Sequence, residues 1–122
     1  MALENVQAGD ATSVEYEVTK EMTINRTGKT GADVLSTPSL LNLMELTCIA
    51  ATDHKIAPEM ATVGYAVDGL RHLAPTALGE TVTVSVRLTG VDGRKFSYDI
   101  EAFEGEKKIG VAQHRRAAIP AG

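Results

Sequence analysis

One carboxylate stands out among the side chains that could do chemistry. Glu45 is the only charged residue between Leu40 and Ala51, in a stretch that is otherwise largely aliphatic. Burying a carboxylate is costly unless it is paired or hydrogen-bonded, and residues kept at such a cost are often functional. Glu45 is therefore a candidate catalytic residue. The alternative is that Glu45 reaches solvent at the edge of a helix or bonds to backbone groups.

His72 is a second candidate because of the pattern that precedes it. The alternation of the strand that would contain His72 changes phase at Gly69, which indicates a β-bulge. Bulges often lie next to active sites because they redirect a side chain. The alternative is an ordinary histidine within a strand.

Thr37 is a third candidate. A threonine followed by Pro38 is typical of a helix start, with the hydroxyl as N-cap and proline at the first helical position. A helix N-terminus also offers amides to an anionic or polarised oxygen. Thr37 and Glu45 are eight residues apart, about 12 Å along a helix. A site that uses both needs a substrate or His72 to bridge them, or residues from two subunits.

The other histidines and the single cysteine are expected to be structural. His54 ends the predicted helix, where the helix dipole favours an imidazolium, and His114 lies within a predicted strand. Cys48 lies in the most apolar stretch, as is typical of a small buried hydrophobe. Nucleotide-loop, zinc-protease and serine-hydrolase motifs are absent, and the histidines lack ligand spacing, so we expect no metal and no cofactor.

The helix that carries Thr37 and Glu45 is strongly apolar. It is predicted to run from Thr37–Pro38 to Asp53–Lys55, with Pro58 beyond its end. Its apolar residues cover nearly the whole circumference, so we expect the helix to be buried on most sides. They are Leu40, Leu41, Leu43, Met44, Leu46, Cys48 and Ile49.

One strand is predicted before this helix and four after it, since apolar and polar residues alternate there. Asp92-Gly93 and Glu104–Glu106 predict the turns between the last three strands. The polar stretch Asn25–Asp33 is predicted to be a loop, and Met22 and Ile24 are candidates to extend the first strand. The alternating residues are Val14, Tyr16 and Val18; Val63, Tyr65 and Val67; Val82, Val84, Val86 and Leu88; Phe96, Tyr98, Ile100 and Ala102; and the last strand is Lys107–Ile119.

Composition and element order favour one α+β domain whose antiparallel sheet curls around the helix. The chain has 122 residues, of which 43% are hydrophobic, and a formal charge of −4. A second copy could cover what the sheet leaves open, so a homodimer is expected. An acidic chain without a basic stripe is not expected to bind nucleic acid. With no long apolar run and no signal peptide, we expect a cytoplasmic protein that does not bind membranes.

Four segments between Val34 and Ile119 resemble a known family. They are VLSTPSLLNLMELTCIAA, GYAVDGLRHLAPTALGETVTVSV, DGR and GVAQHRRAAI. In order and in near-family spacing they are similar to the fluoroacetyl-CoA thioesterase type of hot-dog protein. The resemblance implies a single hot-dog domain over residues 1–122, with one long central helix wrapped by a curved antiparallel five-stranded sheet.

The same resemblance implies roles for five residues. Thr37, Glu45 and His72 match the family's catalytic residues, and Gly64 and Arg116 match its substrate contacts. Gly64 lies one residue further from His72 than the family's glycine lies from its histidine. This extra residue is the one that indicated the bulge.

The position of Arg116 conflicts with the strand pattern. Because side chains alternate along a strand, Arg116 would lie on the sheet face opposite to the face of Ile109 and Val111. Arg116 can face the same side only if the last strand also contains a bulge.

The activity implied is hydrolysis of a small acyl-CoA to free acid and CoA. The stretch Asn25–Asp33 is short and contains no aromatic residue, unlike the longer, phenylalanine-bearing segment of the fluoroacetate-specific enzyme. Fluoroacetyl-CoA is therefore not the expected substrate, and short-chain and aryl acyl groups stay open. One alternative is hydration or dehydration of an acyl thioester, which would need an Asp/His pair where Ser36 and Thr37 stand. Another is a non-catalytic protein that binds acyl-CoA or another small ligand.

Overall fold

The structure is a computed structural model that describes residues 2–25 and 32–121. Most of the predicted loop Asn25–Asp33, residues 26–31, lies outside the described residues. Two short 3-10 turns cover Ala2–Asn5 and Lys20–Met22. The regular elements are β1 (Ala11–Glu17), α1 (Thr37–Ile56), β2 (Met60–His72), β3 (Thr81–Asp92), β4 (Lys95–Glu104) and β5 (Lys107–Pro120).

The five strands form one antiparallel sheet in the order β1-β3-β4-β5-β2, and α1 packs against it. The predicted α+β architecture, one long helix against a curved antiparallel five-stranded sheet, is confirmed. The alternating residues of β3 and β4 face the helix, where they are at most 3% exposed. They are Val82, Val84, Val86, Leu88, Phe96, Tyr98, Ile100 and Ala102.

Two details at the predicted element ends were wrong. Met22 and Ile24 do not extend β1, because Lys20–Met22 forms a 3-10 turn and Ile24 is 56% exposed. The N-cap of α1 is Ser36 rather than Thr37. The Ser36 carbonyl accepts the first helical hydrogen bond, from Leu40 N at 2.9 Å, and its hydroxyl accepts from Ser39 N at 3.2 Å.

Bulges set which side chains of β2 face the helix. The register shifts between Asp68 and Arg71, where Gly69 has a φ of +60°, so the predicted bulge at Gly69 is confirmed. A second shift, between Gly64 and Ala66, was not predicted. Each bulge reverses the phase of the strand beyond it.

A third bulge resolves the conflict over Arg116. In the pairing of β4 with β5, Ala102 lies opposite Gly110 and Phe103 opposite Lys108, which leaves Ile109 as the extra residue. The strand changes phase there, so Ile109 and Arg116 are both buried, at 0% and 3% exposure.

The described residues of one chain cover α1 on one side only. In a single copy of the chain, the prediction that α1 is buried on most sides was wrong, because Asn42, Leu46 and Ala50 form an exposed stripe along α1. A single sheet reaches only one face of a helix. The prediction allowed for this through a second subunit.

Replacing a core leucine tests this division between covered and open faces. Leu43, which is 1% exposed, packs in the core. We expect Leu43→Ala to lower the free energy of unfolding by about 2–5 kcal/mol, from lost burial and the cavity left behind. Leu78, which is 42% exposed, gives a matched control, and Leu78→Ala should cost less than about 1 kcal/mol. Urea unfolding measures both, and equal losses would contradict the assigned core.

Candidate active site

Strand β2 runs back along α1, so its end lies beside the start of the helix. This brings together two residues that are 35 positions apart: Thr37 Oγ1 lies 2.8 Å from His72 Nδ1. The Thr37 hydroxyl can make this contact because Ser36 provides the N-cap. The predicted capping role of Thr37 is therefore wrong.

His72 is suited to proton transfer. Burial lowers its pKa below the usual 6.5, so the imidazole is neutral near pH 7 and can accept or donate a proton. Its Nε2 is buried and has no hydrogen-bond partner among the described residues. The contact with Thr37 therefore joins a hydroxyl to a neutral base at the exposed helix start.

Glu45 lies two helical turns further along α1 and belongs to a second cluster. The Arg116 guanidinium donates from Nη1 to Glu45 Oε2 at 3.1 Å, and His114 Nε2 lies 3.8 Å from the same oxygen. The Glu45 side chain is 40% exposed. Glu45 is thus neither deeply buried nor unpaired: one oxygen is held by a cation while the side chain still reaches solvent.

Arg116 is almost fully buried and its guanidinium is tied to several acceptors. Nε donates to Thr62 Oγ1 at 2.7 Å, and Nη2 donates to the Thr62 carbonyl at 2.9 Å. Thr62 Oγ1 in turn donates to Asp53 Oδ1 at 2.7 Å. A buried charge needs such partners, and they hold the edge of the guanidinium formed by Nε and Nη2 in place under Glu45.

Gly64 closes the second cluster from the sheet side. It lies opposite Arg116 in the pairing of β2 with β5. A Cβ at this position would lie 2.8 Å from Glu45 Oε2 and 2.9 Å from His114 Cε1. Any side chain here would push the carboxylate and the imidazole apart, so the cluster requires glycine.

His114 is the site residue that the sequence did not identify. It was expected to be structural, yet it is 3% exposed and lies within hydrogen-bond distance of Arg116. Its position two residues before Arg116, on the same strand face, was a usable signal once Arg116 was a candidate. Cys48, in contrast, is a buried thiol as expected, and burial raises its pKa to about 12.

The five candidate residues therefore divide into two groups. Thr37 contacts His72, whereas Glu45, Gly64 and Arg116 lie together. In the described part of the chain no hydrogen bond or ion pair joins Glu45 to His72. Eight residues of helix separate the two groups, about 12 Å.

Neither group lines a cleft that the described residues form on the sheet. That cleft, of about 900 Å³, crosses the sheet and is lined by residues such as Ser13, Ser85, Asp99 and Gln113. Residues 2–25 and 32–121 contain no cluster of His, Cys, Asp and Glu that could hold a metal ion. No helix in the same ranges is long and apolar enough to cross a membrane.

The family model for fluoroacetyl-CoA-specific thioesterases matches residues 18–122. The chain belongs to this family. The fluoroacetyl-CoA thioesterase of Streptantibioticus cattleyicolor is 36% identical over 87 residues, which are 71% of this chain. The chain spans only 62% of the length of that curated relative.

Solved structures agree on the fold. A fluoroacetyl-CoA-specific thioesterase variant in complex with fluoroacetate and CoA is 28% identical, with a TM-score of 0.82 over 93% of this chain and 95% of that one. A hot-dog-like protein from Thermanaerovibrio acidaminovorans is 22% identical, with a TM-score of 0.84 over 96% of this chain and 86% of that one. The chain therefore has the hot-dog fold.

The two histidines with lowered pKa values, the half-buried His72 and the buried His114, make stability depend on pH. Burial lowers the pKa of both His72 and His114, and Arg116 lowers the latter further. The unfolded chain then binds more protons below pH 6.5, so the free energy of unfolding should fall as the pH drops from 7.5 to 5.5. His114→Gln removes one of these groups and should reduce that fall by at most about 1.4 kcal/mol per pH unit.

Urea unfolding at pH 7.5 and 5.5 measures this effect. Gln113→Asn, at the exposed neighbouring position of β5, controls for a substitution in the strand. A fall of the same size in wild type and His114→Gln would show that His114 does not contribute.

Proposed function

We propose that this chain hydrolyses small acyl-CoA thioesters to the free acid and CoA. The observation that carries the proposal is the 2.8 Å contact between Thr37 Oγ1 and His72 Nδ1 at the start of α1. Two residues matched to a thioesterase family by sequence come together there with geometry suited to proton transfer. Membership of the family and a relative named as a fluoroacetyl-CoA thioesterase support the same activity.

The start of α1 is suited to hold the thioester carbonyl. Attack on that carbonyl places negative charge on its oxygen, which hydrogen-bond donors stabilise. Pro38 has no N–H, and the Ser39 N–H already donates to Ser36. The Thr37 amide is thus a donor for the carbonyl at this helix start, and the Thr37 hydroxyl can donate as well when His72 Nδ1 carries the proton of their shared hydrogen bond.

Glu45 and His72 would carry out the chemistry. Glu45 either takes a proton from the attacking water or attacks the carbonyl itself, and both routes consume one water and break the C–S bond. The departing thiolate of CoA takes up a proton, and neutral His72 is suited to relay it. Thr37 would orient Glu45, the substrate or the water; the alternative is that its own hydroxyl attacks the carbonyl, with water then hydrolysing the acyl-enzyme.

Arg116 and Gly64 would act through Glu45. Arg116 is 3% exposed and donates to the Glu45 carboxylate, so it holds one oxygen of that carboxylate in place. Gly64 leaves room for that carboxylate beside the strand. The direct substrate contacts implied for Gly64 and Arg116 stay predictions.

The active form is proposed to be a homodimer. The edge strand β2 exposes Val63, Tyr65 and Val67 by 45%, 49% and 39%, and α1 exposes Leu46 by 44%. A chain of this size gains much from covering such surfaces. A shared site would also let Glu45 of one copy approach the Thr37–His72 pair of the other, which one chain alone keeps about 12 Å apart.

The remaining expectations join this proposal. We propose a short-chain or aryl acyl group rather than fluoroacetyl, because residues 25–33 lack an aromatic side chain. We also propose hydrolysis without a metal ion or cofactor, a single domain over residues 1–122, a cytoplasmic location, and no binding to nucleic acid or membranes.

Thiol release from a panel of acyl-CoAs tests the activity. Acetyl-, propionyl-, fluoroacetyl- and phenylacetyl-CoA would be compared. Glu45→Gln and His72→Asn should each lower kcat/KM at least about 100-fold, since positioned acid-base groups contribute that much. The exposed Glu59→Gln and His54→Asn serve as matched controls. Acyl-CoA binding without thiol release by wild type would favour a binding protein instead.

Mixed dimers test whether two copies share a site. Glu45→Ala and His72→Ala, each inactive alone, would be unfolded together and refolded. If Glu45 and His72 of one site come from different copies, half of the dimers are mixed and hold one intact site, so about a quarter of the wild-type activity should return. If one copy supplies both residues, no activity returns.

A further inference from the structure

His114 is buried against partners that leave it only one protonation state. Its Nε2 lies 3.2 Å from Arg116 Nη1. A guanidinium can only donate hydrogen bonds, so Nε2 must accept. The Nδ1 atom lies 2.7 Å from the Ala66 carbonyl, which can only accept, so Nδ1 carries the proton. The ring is therefore neutral, with its tautomer fixed at both nitrogens.

The surroundings hold this ring in place. His114 is 3% exposed, and its ring stacks on Tyr98 with centroids 6.2 Å apart. The missing Cβ of Gly64 leaves the space that the His114 ring occupies. Burial lowers the pKa of His114, which agrees with a neutral ring near pH 7.

Arg116 Nη1 lies between two acceptors and divides its two hydrogens between them. One goes to Glu45 Oε2 at 3.1 Å and the other to His114 Nε2 at 3.2 Å. Because Nε and Nη2 donate to Thr62, four of the five N–H groups of Arg116 are committed. The other oxygen of Glu45 has no hydrogen-bond partner among the described residues.

We propose that His114 is a positioning residue that holds Arg116 so that it contacts only one oxygen of Glu45. The inference rests on the proposed function. Thr62 holds the edge of the guanidinium formed by Nε and Nη2, and His114 holds the other edge by accepting the second hydrogen of Nη1. With both edges held, the guanidinium cannot turn to pair with both carboxylate oxygens. Bidentate pairing is the geometry that arginine otherwise favours with a carboxylate. The second oxygen of Glu45 thus stays available to attack or to take a proton.

Two substitutions separate the two hydrogen bonds of His114. In His114→Gln the side-chain amide reaches the position of Nε2 and can still accept from Arg116. In His114→Asn the amide reaches only the position of Nδ1, so it can donate to Ala66 but cannot hold Arg116. Both variants lose the ring contact with Tyr98 and neither titrates near neutral pH, so they form a matched pair.

The expected result is a difference between these variants in kcat. His114→Asn should lower kcat about tenfold with KM nearly unchanged, because a hydrogen bond to a charged group is worth that much. His114→Gln should retain most of the wild-type kcat. Melting temperatures identify any loss that comes from unfolding, and His114→Phe, which keeps an aromatic ring but neither hydrogen bond, should behave like His114→Asn if the variants fold.

A second measurement does not depend on catalysis. Nitrogen-15 NMR reports rotation of the Arg116 guanidinium about its Cζ–Nη bonds and the tautomer of His114. Rotation should be slow in wild type and in His114→Gln and faster in His114→Asn. This pattern would support the positioning of Arg116 by His114 even if wild type released no thiol. In that case only the proposed function would fail. Equal rotation in all three proteins, or equal kcat in the Asn and Gln variants, would overturn the inference.

Discussion

The buried charge of Arg116 is the constraint on which the rest of the site depends. A guanidinium that is 3% exposed is stable only if its donors find acceptors. Here Thr62 supplies two of them, and Glu45 and His114 supply the others. The three residues that supply these acceptors lie on β2, α1 and β5, so one buried cation ties these elements together. The same contacts determine where the Glu45 carboxylate lies.

That arrangement is possible because the strands are not regular. Without the extra residue at Ile109, the alternation of β5 would turn Arg116 to the outer face of the sheet. Without a glycine at position 64, the carboxylate of Glu45 and the ring of His114 could not both approach β2. The bulge at Gly69 then changes the phase of β2 before His72. Local irregularities of the sheet, rather than its regular core, therefore bring the candidate residues to the helix.

The helix has two distinct surfaces with different tasks. Its sheet side is packed by fully buried aliphatic and aromatic residues, such as Leu43, Met44 and Phe96, and this packing gives the rigid frame for the site. Its other side carries the exposed Leu46 beside the partly exposed Glu45. An exposed stripe of Asn42, Leu46 and Ala50 next to the candidate carboxylate suits a surface that a second copy covers, which is why the proposed dimer and the proposed chemistry belong together.

The sequence by itself determined the elements and the candidate site residues. Hydrophobic periodicity is a local property, so β3, β4, the hairpin at Asp92-Gly93 and the long helix could be predicted. Local patterns also made two residues candidates: a lone glutamate in an aliphatic helix, and a histidine after a glycine that changes the phase of its strand. Only the tertiary structure decided how these residues are placed, because their placement depends on which strands pair and on which acceptor each hydrogen-bond donor contacts. The bulge at Ile109, the contacts of His114 and the division of the candidate residues into two groups all follow from such long-range contacts.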